Sequence, residues 1–284
     1  MSGITGTTRY GSIQESDNID WITSLPFLGV HVACLVAFWT GVSWRALVLC
    51  FALYVIRMFG ITAGYHRYSS HRSYRTSRLF QFVLAWIGCS ALQRGPLWWA
   101  AHHRYHHQHS DQQEDLHSPK QRGFWWAHIG WILCDRYDAT PFEAIKGFSK
   151  YPELRWLNCY SALPGVLLGI GCLLAVGWQR LVWGFFISTV LLYHGTFLVN
   201  SLCHMVGTVR YKTTDTSRNS VLLALITMGE GWHNNHHHYS TSARMGFFWW
   251  EVDISYYALS WLSLFGIVWD MKKPSQRVLE TARI

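Results

Sequence analysis

The sequence predicts an all-α integral membrane protein with four membrane-spanning helices in two hairpins and a cytoplasmic helical cap. Three observations predict it. Four apolar stretches approach the roughly 20 residues that a spanning helix needs, each neighbouring pair is joined by almost nothing, and Arg and Lys concentrate between the pairs. Hydrophobic residues make up 50% of the 284 and charged residues only 14%, which is too apolar for an ordinary soluble domain. A mean hydropathy of +0.07 nevertheless requires a substantial polar part outside the bilayer.

Taken in order, residues 1–20 are polar and show no pattern of a cleaved signal. Residues 25–44 and 46–62 read as the first hairpin, and 157–178 and 181–203 as the second. The cap comprises 63–156 and 204–284, and 1–284 reads as a single domain. Twelve Arg and Lys lie from Arg67 to Arg155, whereas the hairpin turns carry only Arg45 and Arg180. The positive-inside rule then places the central segment and both termini in the cytoplasm. Arg57, within a span, is expected to snorkel toward that side. Three further apolar stretches, 79–93, 124–134 and 247–269, read as interfacial helices; the last is long enough to span but is broken by Glu251 and Asp253. The formal charge of +8 forms no run or stripe, so an anionic membrane surface explains it better than nucleic acid. The seven cysteines include no C-x-x-C pair and read as small buried hydrophobes.

The chemistry lies in the histidines. Three clusters read His66-Arg-Tyr-Ser-Ser-His71, His103-Arg-Tyr-His106-His107 and His233-Asn-Asn-His236-His237, with His204 apart in Asn200-Ser-Leu-Cys-His204. On a helix, residues three and four apart share a face, so each His-x-x-His-His run aims at least two ring nitrogens one way. These are more imidazoles than one ion can use, and the pattern asks for two metals. Structural zinc usually takes thiolates, which are not clustered here, and H-E-x-x-H is absent. A nearly all-imidazole di-iron site with open positions fits the donor set. His31, His109, His117, His128, His194 and His238 read as ordinary hydrogen-bonded histidines.

These boxes, with Gly123-Phe-Trp-Trp-Ala-His-Ile-Gly-Trp131 and the Asn200/His204 element, resemble the membrane fatty-acyl desaturase family, in its Δ9 (stearoyl-type) branch. The resemblance implies nine iron ligands: His66, His71, His103, His106, His107, His204, His233, His236 and His237. Asn200 matches a position that approaches one metal through water, and His102 and His238 remain neighbours of the boxes. Gln93, Trp99 and Thr196 match residues that shape the acyl tunnel. The implied reaction inserts a cis double bond into a saturated acyl chain using O2 and two electrons. The run from Arg94 to His102 carries Gly95-Pro96 and lacks the polar residues expected to hold coenzyme A, so coenzyme A, lipid and carrier protein all stay open as head groups. That run looks more like bacterial, cyanobacterial and plant relatives, some of which act on lipid-linked chains, and on that resemblance alone a bacterial plasma membrane is favoured over the endoplasmic reticulum. No dinucleotide, haem or iron–sulfur motif is present, so a ferredoxin-like or cytochrome b5-like donor is expected on the basic cap. A hydroxylase on the same scaffold is the nearest rival. A histidine-rich metal transporter is a distant one, since transporters place their ligands near the bilayer midplane.

Overall fold

A computed structural model describes residues 17–281, 283 and 284. It is mostly helical. Most of the polar stretch at 1–20 lies outside the described residues. Among the described residues, three helices are long and apolar enough to cross a membrane: α1 (Trp21–Thr40), α2 (Trp44–Ser70) and α7 (Gly177–His204). Between α2 and α7 come α3 (Arg78–Cys89), α4 (Pro96–His109), α5 (Pro152–Cys159) and α6 (Leu163–Ala175). After α7 come α8 (Val221–Ile226), α9 (His233–His238), α10 (Ile254–Leu264) and α11 (Gln276–Glu280).

The stretch 157–178, read from the sequence as one span, is not a continuous helix. The chain there is α5 followed by α6, bent by 66°, and α6 starts afresh with Pro164 in its first turn. Proline fits the first turn of a new helix but removes a bond inside a continuous one. The joint between α6 and α7 is Gly177, at φ +78°, a left-handed conformation that favours glycine.

Hydrogen bonds tie the two hairpin turns together. Ser43 Oγ donates to Gln179 Oε1 at 2.6 Å, Gln179 Nε2 to Thr40 O at 2.8 Å, and Trp183 Nε1 to Gly41 O at 2.8 Å. Arg57 does not snorkel. It is 1% exposed and donates to Leu53 O, Ser188, Thr189 and Ser90 O, locking α2 onto α7 and the end of α3. Burial with a full set of acceptors replaces the escape to water that an isolated span would require.

The 247–269 stretch resolves into a short helix rather than a span. Asp253 caps α10, accepting from Tyr256 N at 3.0 Å, and α10 has 11 residues. Glu251 and Asp253 are fully buried and paired with Arg210 and Arg67. A two-residue antiparallel pairing of β1 (Arg75–Thr76) with β2 (Val268–Trp269) fastens this segment beside the first histidine box.

Candidate metal centre

Each histidine box sits on an element whose local structure the sequence explains. The last part of α2, Gly60–Ser70, winds as a π-helix, and His71 N reaches back to His66 O at 3.2 Å. Ser69 and Ser70 hydroxyls donate to Gly64 O and Tyr65 O, five residues back, and support that wider winding. Helix α4 begins at Gly95-Pro96. Its free N–H groups are capped from α5, where Asn158 Oδ1 accepts from Leu97 N at 3.1 Å and Trp98 N at 2.9 Å. A side chain at Gly95 would meet that Asn158 oxygen at 2.3 Å, so the Gly-Pro pair serves this helix junction. Helix α9 is held by asparagines: Asn219 Oδ1 accepts from Asn234 N and Asn235 N.

The histidines gather into two groups. His66, His71, His103, His107 and His236 form one, and His106, His204, His233 and His237 the other; within each, the ligand atoms all lie within 4.8 Å of one another. The helical period explains the division. His103 and His107, four apart on α4, turn to the first group and His106 to the second, while on α9 His233 and His237 turn to the second group and His236 to the first.

The donor set fits metal ions. Nε2 atoms face one another at 3.0 Å for His66 and His236, 2.9 Å for His71 and His103, 3.0 Å for His107 and His236, and 3.1 Å for His204 and His233. Nitrogens at adjacent corners of an octahedron, each about 2.1 Å from an ion, stand roughly 3.0 Å apart. His106 Nε2 and His237 Nε2 are buried with no hydrogen-bond partner.

Four carboxylates that the sequence reading missed complete the arrangement. His106 Nδ1 lies 2.9 Å from Asp115, His204 Nδ1 3.3 Å from Asp111, His237 Nδ1 2.6 Å from Asp215, and His66 Nδ1 contacts Glu230. Each carboxylate accepts a hydrogen bond from Nδ1–H, which leaves each Nε2 lone pair pointing inward. Burial opposes the charge on Asp111, Asp115 and Asp215, but their histidine partners hold all three well below the usual carboxylate range. These residues come from loops and turns: Asp111 and Asp115 follow the second box closely and Glu230 stands just before the third, whereas Asp215 is near no box in the sequence.

Gln93, Trp99, Thr196 and Asn200 line one cavity of about 320 Å³, together with Phe27 and Val30 of α1. That volume is in the range of small-molecule sites. Gln93 Nε2 donates to Thr196 Oγ1 at 2.8 Å. Trp99 joins the cavity to the first group, stacking on His103 with centroids 4.9 Å apart. His102 and His238 belong to neither group: His102 Nδ1 lies 2.8 Å from Trp98 O, and His238 stacks on Tyr211 and reaches Val278 O.

The metal-free protein should lose stability as pH falls below about 6.5. Burial, reinforced by neighbouring rings, holds His71, His103, His107, His233 and His236 well below the ordinary imidazole value; burial pulls His237 down to about 4, against the opposing effect of Asp215. His106 runs the other way: burial lowers it, but Asp115, with Asp215 and Asp111 behind it, raises it by more in sum. The unfolded chain therefore binds more protons between about 6.5 and 4, and folding stability falls through that window. The three aspartates act lower: their contribution is intact above about 3.9 and fails only in stronger acid. Thermal denaturation of metal-stripped protein in detergent should show Tm dropping steadily from pH 7 to 5, with metal-loaded protein holding its Tm further down. A flat profile for the stripped protein would contradict the assignment of buried neutral rings.

The sequence profile of the fatty acid desaturase family matches residues 42–264. The sn-1 stearoyl-lipid 9-desaturase of Anabaena variabilis is 39% identical over 260 residues, covering 89% of this chain and 94% of that protein. The acyl-CoA C20 Delta5-desaturase of Anemone leveillei is 38% identical, covering 87% of this chain and 80% of that one. Delta-9 acyl-lipid desaturase 1 of Arabidopsis thaliana is 37% identical, with 91% and 85% covered.

Proposed function

This chain belongs to the fatty acid desaturase family and is an oxidoreductase that desaturates fatty-acyl chains; from that premise we propose that it inserts a cis Δ9 double bond into a saturated chain carried on a glycerolipid. The carrying observation is Trp99, which lines the apolar cavity and stacks on a histidine of the first group. Two relatives whose names specify lipid-linked substrates support the head group. So does the run at Gly95-Pro96, which is given to helix capping, while the adjacent Arg94 is paired with Asp138 at 2.5 Å.

His66, His71, His103, His107 and His236 would hold one iron. His106, His204, His233 and His237 would hold the other, with Asn200 contributing through a water. Bound iron supplies the oxidising chemistry with O2. The chain's own residues do the rest. The carboxylates fix the histidine tautomers, Trp99 and the Gln93–Thr196 pair bound the methylenes that enter, and the apolar walls exclude water. Helices α1 and α2, the bent α5–α6 pair and α7 serve as four spans of one domain. The histidines lie in a cytoplasmic cap, away from the bonded hairpin turns. Electrons come from a ferredoxin-like or cytochrome b5-like donor docked on the basic cap.

The test is fatty-acid analysis with double-bond location in a host lacking the product, expressing the protein with a ferredoxin system. A new cis Δ9 monoene, appearing first in glycerolipids, is expected. Appearance first in the acyl-CoA pool overturns the head group, a bond elsewhere overturns the position, and hydroxy acids favour the hydroxylase reading.

A further inference from the structure

Beside the first histidine box lies a basic cleft that the two metal groups do not use. Its volume is about 540 Å³, and Tyr68, Arg72, Lys150, Tyr151, Trp269 and Lys272 are among the residues that line it. Three segments meet there: the turn after His71, the loop around residue 147 and the chain that follows β2. The last is fixed to the first by the β1–β2 pairing and by Lys272 N, which donates to Ser73 O at 2.9 Å. Gly147 closes against Arg72, because a Cβ there would meet the guanidinium Nη2 at 1.6 Å. That guanidinium also lies over Phe148, 5.1 Å from the ring centroid. The Arg72 backbone sits at φ +50°, a left-handed conformation that few non-glycine residues adopt. A strained turn next to a metal-binding residue is held in place on three sides.

The cleft carries uncompensated positive charge. Arg72, Lys150 and Lys272 are exposed, and among the described residues no carboxylate pairs with any of them. The acidic residues nearby are committed: Asp270 to Arg75 at 3.3 Å, Glu153 to Arg78 at 2.7 Å and Glu143 to Lys146 at 2.6 Å. Near the acyl cavity the balance differs, since Arg94 pairs with Asp138, and Arg122 and Arg136 both pair with Asp17. Cations of one sign lining a cleft focus their field and draw an anionic partner. That partner comes from water. On the four-span reading α2 starts at the hairpin turns, and its 27 residues, at up to about 1.5 Å each, outrun the roughly 30 Å hydrocarbon core. Tyr68 and Arg72, at its far end, therefore stand beyond the bilayer, out of reach of lipid head groups.

We propose that a small acidic electron-transfer protein docks on this cleft, its carboxylates against Arg72, Lys150 and Lys272, and that electrons enter the five-histidine group beside His71. The inference rests on the desaturase reading and gives its donor a place. Arg72 is one peptide bond from His71, and Tyr68 is two residues from His66; both histidines belong to that group. In the reaction a –CH2–CH2– unit, O2, two electrons and two protons drawn from water give –CH=CH– and two molecules of water. The donor supplies the electrons in two one-electron steps, and each step oxidises one reduced donor. It must dock, leave and dock again. Exposed charge pairs suit that cycle, because they speed encounter and set orientation more than they tighten the complex.

Binding tests the surface without turnover. Zinc-loaded protein in detergent is titrated with two oxidised probes, a plant-type ferredoxin and the soluble domain of cytochrome b5, and the probe that binds identifies the type of donor. Reversing two charges together, Lys150→Glu with Lys272→Glu, should weaken that binding on the order of tenfold at low ionic strength, and the difference should close as salt rises. Gly147→Ala keeps every charge but displaces the Arg72 guanidinium, and should weaken binding several-fold. Lys120→Glu, at an exposed position beyond the second box, should leave it unchanged. In turnover, the donor concentration for half-maximal double-bond formation should rise with the loss of affinity, while metal content and the rate driven by a small uncharged mediator stay at wild-type values. A wild type that binds neither probe, wild-type affinity in the double variant or in Gly147→Ala, or an equal loss in Lys120→Glu overturns the proposal. Binding that follows the cleft variants in a protein that forms no double bond counts against the desaturase reading and leaves the docking surface standing.

Discussion

Replacing His106 by alanine should reduce bound metal from about two ions per chain to about one and remove double-bond formation. The second group has four imidazoles and the first has five, so losing one leaves three in the second but four in the first. His106 is also buried, with its Nδ1 engaged by Asp115 and its Nε2 unpartnered in the protein, so no other hydrogen bond competes for that lone pair. Loss of a partner outside the ligand shell commonly costs 10–100-fold in metal affinity or activity, and loss of a ligand should cost at least about 100-fold. His107→Ala, in the five-membered group, should retain more metal than His106→Ala. The check is metal content of purified protein alongside fatty-acid analysis. Equal retention in the two variants would mean that the five-and-four division does not describe the binding sites.

Eight of the nine histidines were legible in the sequence because their clustering carries the signal, His-x-x-His-His on a helix presenting its rings in only a few directions, whereas the lone His204 was marked only by the family resemblance. The split between two groups also follows from helical period, but it becomes readable only once α4 and α9 are known to face each other across the site. The carboxylates were not legible. Asp215 reaches His237 over 22 residues and Asp111 reaches His204 over 93, through loops whose course no periodicity predicts. The contacts of His194 with His31 and His128 escaped for the same reason, since each alone is an ordinary histidine and only the packing of α1 and of the short helix Phe124–His128 on α7 brings them together. Among the spans, hydropathy located the apolar residues but not the break at 160–162, because the residues there are no more polar than their neighbours need to be. Arg57 shows the complementary error: its charge was visible, but the Ser188 and Thr189 acceptors come from a helix more than 100 residues away.

Glu230→Ala should weaken both the fold and the metal site, because this carboxylate serves both. One oxygen accepts from Arg67 Nη2 at 3.0 Å and the other contacts His66 Nδ1. Arg67, 1% exposed, also donates to Asp253 at 2.9 Å and to Ala243 O at 2.9 Å, and Asp253 in turn caps α10. Burial opposes the charge on Glu230, but His66 and Arg67 together hold its carboxyl below the usual range, so it is ionised at neutral pH. Breaking a buried ion pair from one side costs about 3–5 kcal/mol, since the remaining charge keeps its desolvation penalty. Here Asp253 still faces Arg67, which puts the expected loss near the lower end, about 3 kcal/mol. The tautomer of His66 also loses its anchor, so affinity at the five-histidine group should fall about 10–100-fold. Glu230→Gln separates the two roles. Its amide oxygen can still accept from Arg67, which should recover much of the stability, but it supplies no negative charge to His66, so the metal deficit should persist. Denaturation of the zinc-loaded variants, paired with metal titration, reads both quantities. Two variants equal in stability and in metal affinity to wild type would show that Arg67, Glu230 and His66 are neighbours without being coupled.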